Sequence, residues 1–267
     1  MTTPARIDAL LSLLEDEDDQ ISTVAMEQLL RSQNHAEEII RNHQESSSRF
    51  LRTRIHQMGG ILQLRRRRQE FIRRGTTGTL PLKKALEEIN YQYNPRFNPA
   101  AASRRLRAMS AALAERMPTS AQVCTFMRDE GFACAGDGVL GAGAYLLENV
   151  LHERVGSPIL LSAIAHILGR TTGWDSSIVL YRGKHCLMTN DGALIEPHKG
   201  WKLTHLSGDS KLHPCAERDL WLAVLTQLLL TAMFEGRLQA IHRLAAILTG
   251  LCDGDITDLP YPLGRTN

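Results

Sequence analysis

The sequence has no apolar run of the roughly 20 residues that a membrane-spanning helix requires. The nearest candidate, Leu220 to Phe234, is too short and is interrupted by Gln227. The N-terminus lacks a basic segment followed by an apolar one, so no secretion signal is expected. Cysteine is sparse: Cys124, Cys134, Cys186, Cys215 and Cys252, with no pair at CxxC spacing. An odd number without that spacing argues against a disulfide framework or a structural zinc site. It favours a reducing compartment, and a cytoplasmic location is expected. There is no excess of one charge either, since the net charge is +2. No global field therefore draws the chain to nucleic acid or to a membrane. No ligand spacing calls for a metal and no motif calls for a cofactor.

What is present reads as a globular protein. Its 267 residues, 43% hydrophobic and 22% charged, have room for one large domain or two to three small ones. Charge is unevenly placed. Glu15 to Asp19 is an acidic run, whereas Arg49 to Arg74 holds nine arginines against the single acid Glu70. Ile7, Leu10, Leu11 and Leu14 fall on one helical face, and Ile21, Val24, Ala25, Leu29 and Leu30 form a second stripe across the acidic turn. Helix, acidic turn, helix is how a HEAT-type repeat begins. A long polar helix is expected from about Ser48 to Arg73, with Gly59 and Gly60 as a possible break. Arg74 to Thr79 reads as a linker.

Beyond Pro81 the pattern is helical, with Leu82, Ala85, Leu86 and Ile89 on one face and further helices over Ala100 to Arg116, Ala121 to Glu130, Tyr145 to His152 and Pro158 to Thr171. A glycine-rich loop, Gly131 to Gly143, intervenes. Three strand-like runs follow, Ser177 to Tyr181, Lys184 to Met188 and Ala193 to Glu196, separated by Arg182-Gly183 and Asn190-Asp191-Gly192. Asn or Asp before Gly is a strong hairpin signal, so an antiparallel meander is expected. Ala216 to Leu248 returns to helix as a hairpin broken at Glu235-Gly236. The expected organisation is a helical N-terminal region over 1–75, a core over 76–210, a C-terminal helical hairpin over 211–252 and a tail over 253–267.

A thiol triad needs a nucleophile at a helix N-terminus, a histidine on a nearby strand and a carboxylate on the next strand. The order helix, strand with His185, strand with Glu196 is present. The run Tyr145-Leu-Leu-Glu-Asn-Val-Leu-His-Glu-Arg-Val-Gly-Ser-Pro-Ile-Leu-Leu-Ser162 resembles the signature of the SirB-like transglutaminase-core family. Its most specific part is Arg-x-Gly-x-Pro-Ile-x-Leu-Ser. Glu130-Gly-Phe132, Gly183-Lys-His185 and Ile195-Glu-Pro197 also fit, and the C-terminal helical pair resembles the tetratricopeptide-like tail of that family. The resemblance spans roughly Leu80 to Leu248.

The fold it implies is α+β and mostly α-helical: a transglutaminase-like (papain-like) core with a small antiparallel sheet, flanked by helical repeats. Active relatives carry Gly-x-Cys at the start of the helix and a glycine fifteen positions on. Gly156-Ser-Pro158 followed by Gly173 keeps that spacing, which puts Pro158 in the nucleophile position. Proline has neither a nucleophilic side chain nor an N–H. The resemblance leaves His185 and Glu196 as a remnant dyad, with Glu where Asp is usual. The family's Pro-Gly-His-Phe is here Arg182-Gly-Lys-His-Cys186, and its Asp-Pro-Phe is Glu196-Pro-His198.

The expected function is therefore a non-catalytic scaffold that binds another protein. Two alternatives stand beside it. One is a cryptic hydrolase or transferase using His185 and Glu196, with Ser162, Cys134 or Cys186 as an unusual nucleophile. The other is a nucleic-acid-associated protein acting through Arg65, Arg66, Arg67 and Arg68, with Arg73 and Arg74 nearby. Those arginines lack interleaved aromatics for base stacking, and a solvated face paired with Glu15 to Asp19 or with Glu37, Glu38 and Glu45 accounts for them as well.

Overall fold

The computed structural model describes residues 4–31, 33–115, 118–136, 138, 140–206 and 211–252. The tail expected over 253–267 lies outside them. The chain divides into two compact units, Met1–Glu70 and Phe71–Asn267.

The first unit contains α1 (Pro4–Leu14), α2 (Asp19–Leu30), α3 (Gln33–His43) and most of α4 (Arg49–Thr76). The Asp18 side chain accepts from Gln20 N and caps α2. Leu14, Ala25, Leu29, Ile39, Leu51, Ile55, Met58 and Leu62 make its core. α3 was not expected from the sequence, because only Ala36, Ile39 and Ile40 supply apolar spacing there. α4 runs unbroken through Gly59 and Gly60. Two helical glycines cost about 1 kcal/mol each relative to alanine. Burying Ile55, Met58 and Leu62 around them contributes about 1.5–3 kcal/mol per side chain, so packing wins. The helix also continues to Thr76, through the start of the expected linker.

The second unit is helical with a small antiparallel sheet. Its helices are α5 (Leu82–Tyr93), α6 (Pro99–Ala114), α7 (Ser120–Asp129), α8 (Leu147–Glu153), α9 (Pro158–Thr172), α10 (Glu217–Phe234) and α11 (Leu238–Leu251). A short parallel pair joins β1 (Ala133–Cys134) to β2 (Val155–Gly156). The sheet holds β3 (Ser176–Tyr181), β4 (Lys184–Thr189), β5 (Ala193–Glu196), β6 (Lys202–His205) and β7 (His213–Pro214) in the order β6-β5-β4-β3-β7. The three expected strands form its centre. β6 and β7 add an edge on each side. Arg182 and Gly183 both have positive φ, 50° and 75°, as a two-residue turn between right-twisted strands requires.

α9 is the central helix. Ser157 caps it, Pro158 opens it and Gly173 closes it with φ of 80°. Every residue from Ile159 to Gly169 is buried. Side chains alternate across the sheet. Ile178, Leu187 and Ile195 face the main core, whereas Val179, Cys186 and Leu194 form a small cluster on the other face. All three tryptophans are buried, Trp174, Trp201 and Trp221. The Trp201 indole donates to Phe132 O at 2.7 Å, and Trp221 lies against Phe71 with ring centroids 5.7 Å apart. Among the described residues no helix is long and apolar enough to cross a membrane.

Candidate functional site

A cleft of about 430 Å³ opens at the N-terminus of α9. One wall is Cys134 to Gly136 with Leu140 and Tyr145. The floor is Ser157, Pro158 and Ile159. The opposite wall is Gly183, Lys184 and His185 with His198, and Ala223 and Gln227 of α10 close the remaining side.

The Arg154-Val-Gly-Ser-Pro158 run builds that floor. Arg154 ends α8 in the left-handed region at φ 63°, pairs with Glu130 at 3.0 Å and lies over the Phe132 ring at 4.6 Å. That turn carries the chain into β2, where Ala133 N donates to Arg154 O and Ala135 N to Gly156 O, each at 2.9 Å. A Cβ at Gly156 would fall 2.8 and 2.9 Å from the Val150 methyls, so only glycine fits. Ser157 N then donates to Ala144 O at 2.9 Å, and the Ser157 hydroxyl accepts from Leu160 N at 3.4 Å. Pro158 follows as the first helical residue.

His185 and Pro158 therefore share one cleft. Burial pushes the His185 pKa down, so the ring is held neutral. Its carbonyl accepts from Ser162 Oγ at 3.2 Å, which ties β4 to α9. Ser162 is buried and its hydroxyl serves that bond.

Glu196 is placed differently. It follows Leu194 by two residues, and so shares the sheet face of Cys186 and Leu194. Thr204, paired in register with Leu194, donates to Glu196 Oε1 at 3.1 Å. Lys199 Nζ lies 2.7 Å from Oε2, and His198 Nε2 3.7 Å from it. Burial alone pushes this carboxyl's pKa up; the hydrogen bonds from Lys199 and Thr204 and the Lys199 charge outweigh it and hold the pKa below its ordinary value. His185 sits next to Cys186 and points to the opposite face. The structure thus brings His185 and Pro158 together in the cleft and places Glu196 on the opposite face of the sheet from His185, beside His198 of the same cleft.

The other candidates separate clearly. Cys134 is half-buried and is the one thiol among the described lining residues. Cys186 is buried, and burial, with the Glu196 charge adding to it, pushes its thiol up to about 12. His166 is buried inside α9, its Nδ1 3.2 Å from Ser176 Oγ. No group of three or more His, Cys, Asp or Glu among the described residues is arranged to hold a metal ion. In the first unit, Arg65 donates to Leu30 O at 2.9 Å, Arg66 pairs with Glu37, and Arg54 pairs with Asp19. Tyr145, Lys184 and Gln227 line the cleft without having been singled out as site residues, and Tyr145 Oη donates to Gln227 Oε1 at 3.4 Å. Tyr145 and Lys184 fall within the runs that carry the family resemblance, and Gln227 is marked only by its interruption of an apolar run.

A family model described as the transglutaminase-like superfamily matches residues 82–245, from the first residue of α5 into α11. No curated protein and no solved structure gives a significant match.

Proposed function

Because the chain belongs to the transglutaminase-like superfamily, we propose that it is a non-catalytic member, of the SirB-like branch, that binds another protein through the α9 cleft. The observation that carries this reading is Pro158. It opens α9 on the cleft floor, fifteen residues before the Gly173 cap, where a catalytic thiol would stand. It offers neither a nucleophile nor an N–H for an oxyanion. The separation of Glu196 from His185 supports the same reading, since Glu196 pairs with Lys199 and lies beside His198 rather than orienting His185. The reading includes HEAT-like helices in the N-terminal region, a tetratricopeptide-like hairpin in α10 and α11, and a reducing compartment, the cytoplasm, for five cysteines that form no disulfide among the described residues. The nucleic-acid reading is weaker, because Arg65 and Arg66 already serve contacts within their own unit.

One specific observation supports a catalytic alternative: Cys134 and His185 line the same cleft. The test separates the two. The full-length protein is incubated with a glutamine-containing peptide and a fluorescent amine, and both amine incorporation and peptide hydrolysis are followed. Neither is expected to exceed the buffer rate. Turnover abolished by His185→Ala or Cys134→Ser would overturn the non-catalytic reading.

A further inference from the structure

Leu13, Ile21 and Val24 are 42%, 40% and 57% exposed. Single exposed apolar residues are ordinary; a contiguous set marks a contact surface. These three form one set. Arg6 and Leu13 are two turns apart on one side of α1, with Ala9 and Leu10 between them. Ile21, Val24 and Gln28 are spaced by three and four residues on one side of α2. Arg6 Nη2 donates to Gln28 Oε1 at 3.4 Å, so those two sides adjoin. The short turn after Leu14 runs the helices antiparallel, which brings Leu13 beside Ile21 at the other end of the seam. Leu14, Ala25 and Leu29 point away from it, into the core of the first unit. At 1.5 Å per residue the seam is roughly 16 Å long.

The charge around that seam is one-sided. Pro4 to Arg31 carries seven acids and two arginines. Asp19 pairs with Arg54, but Glu15, Asp16, Glu17 and Asp18 stand at the end where Leu13 meets Ile21. Glu15, Glu17 and Asp18 are exposed there. At the other end Arg6 is held by Gln28, and Glu27 precedes Arg31 by one turn. Arg54 and Arg65 of α4 reach α2 on a different flank, at Asp19 and at Leu30 O, which are eleven residues apart and so on one side of the helix. Met1 to Thr3 and Ser32, next to the helical pair in sequence, bring no charged side chain to it.

We propose that the seam between α1 and α2 is a docking surface for an amphipathic helix of a partner protein that carries lysines or arginines beside its apolar stripe. The apolar side chains cover Leu13, Ile21 and Val24, and the basic ones meet the acidic turn. A third helix is what an open face of two packed helices accepts, because its ridges enter the groove between them. A second copy using the same face would set one acidic surface against another, which like charge opposes. The surface uses no residue of the α9 cleft and stands or falls separately from the reading of that cleft.

The test uses the full-length protein and a fluorescein-labelled peptide of about four helical turns, with leucines three and four residues apart and lysines beside them. Fluorescence anisotropy is expected to show saturable binding. Ile21→Asp and Val24→Asp should each weaken it by about tenfold or more, as loss of an anchoring contact does. Glu15→Lys combined with Glu17→Lys should weaken it severalfold at low salt and less at high salt, where exposed charges are screened. A peptide with glutamate for lysine, and one of identical composition with leucine at every second position, should each bind at least about tenfold more weakly. Circular dichroism of the variants should be unchanged, because these side chains are exposed; Ile21→Ser and Val24→Ser serve in place of any aspartate variant that loses helix. Four results would overturn the surface: no binding of the helical peptide up to its solubility limit, binding indifferent to the substitutions at Ile21 and Val24, equal binding of either control peptide, or self-association in sedimentation that Val24→Asp abolishes, which would make the occupant a second copy.

Discussion

Pro158 starts α9 without wasting a hydrogen bond, since the N–H it lacks would have no partner in the first helical turn. The same property strips the cleft of a donor where a thiol helix would supply one. The cysteines show how environment rather than residue type decides reactivity. Burial pushes Cys124 up to about 11 and Cys186 up to about 12. Cys134 is half-buried at the cleft and Cys252 is exposed. On treatment of the native protein with iodoacetamide at neutral pH, mass spectrometry should find Cys252 labelled first and Cys134 more slowly. Cys124 and Cys186 should be labelled only after unfolding. The order Cys186 before Cys134 would contradict the burial described. At this scale the sequence was readable where one residue type decides the matter. Pro158 as the opening residue of its helix was recognisable from its type and neighbours. The face on which Glu196 lies was not, because it depends on strand register and on Thr204 and Lys199, which no linear spacing announces.

At the scale of elements, α9 allows a direct comparison of propensity and packing. Glycine to alanine inside a helix usually gains about 1 kcal/mol. At Gly169 the added Cβ would fall on the Trp174 ring and 3.0 Å from the Trp174 carbonyl. Overpacking of this kind costs about 1–3 kcal/mol, so Gly169→Ala should be net destabilising and lower the thermal midpoint. Gly59→Ala is the control. Nothing lies within 4 Å of its Cβ, so it should gain up to about 1 kcal/mol instead. Equal signs for the two would refute the packing argument. The helices and central strands were legible from periodicity and turn residues. α3 and the edge strands β6 and β7 were not, because their residues are held by neighbours rather than by their own pattern.

At the scale of the molecule, the sequence places a boundary at residue 75, whereas the second compact unit begins at Phe71. The difference has a physical reason. Phe71 is 2% exposed in the core of that unit, against Trp221, and Gly75 packs closely on Leu251 and Trp221. A fragment of residues 71–267 should unfold in one cooperative transition by circular dichroism. Starting it at residue 76 removes Phe71 and should cost about 3–5 kcal/mol, as deletion of a buried phenylalanine does. An unchanged midpoint would place the boundary later. The distribution of chromophores adds a consequence. Trp174, Trp201 and Trp221 all lie in the second unit and are buried, and the first 70 residues contain neither tryptophan nor tyrosine. Intrinsic emission is therefore blind to the first unit, while far-ultraviolet dichroism records both. The two optical signals, followed on one intact chain, report the melting of each half separately without any label being attached.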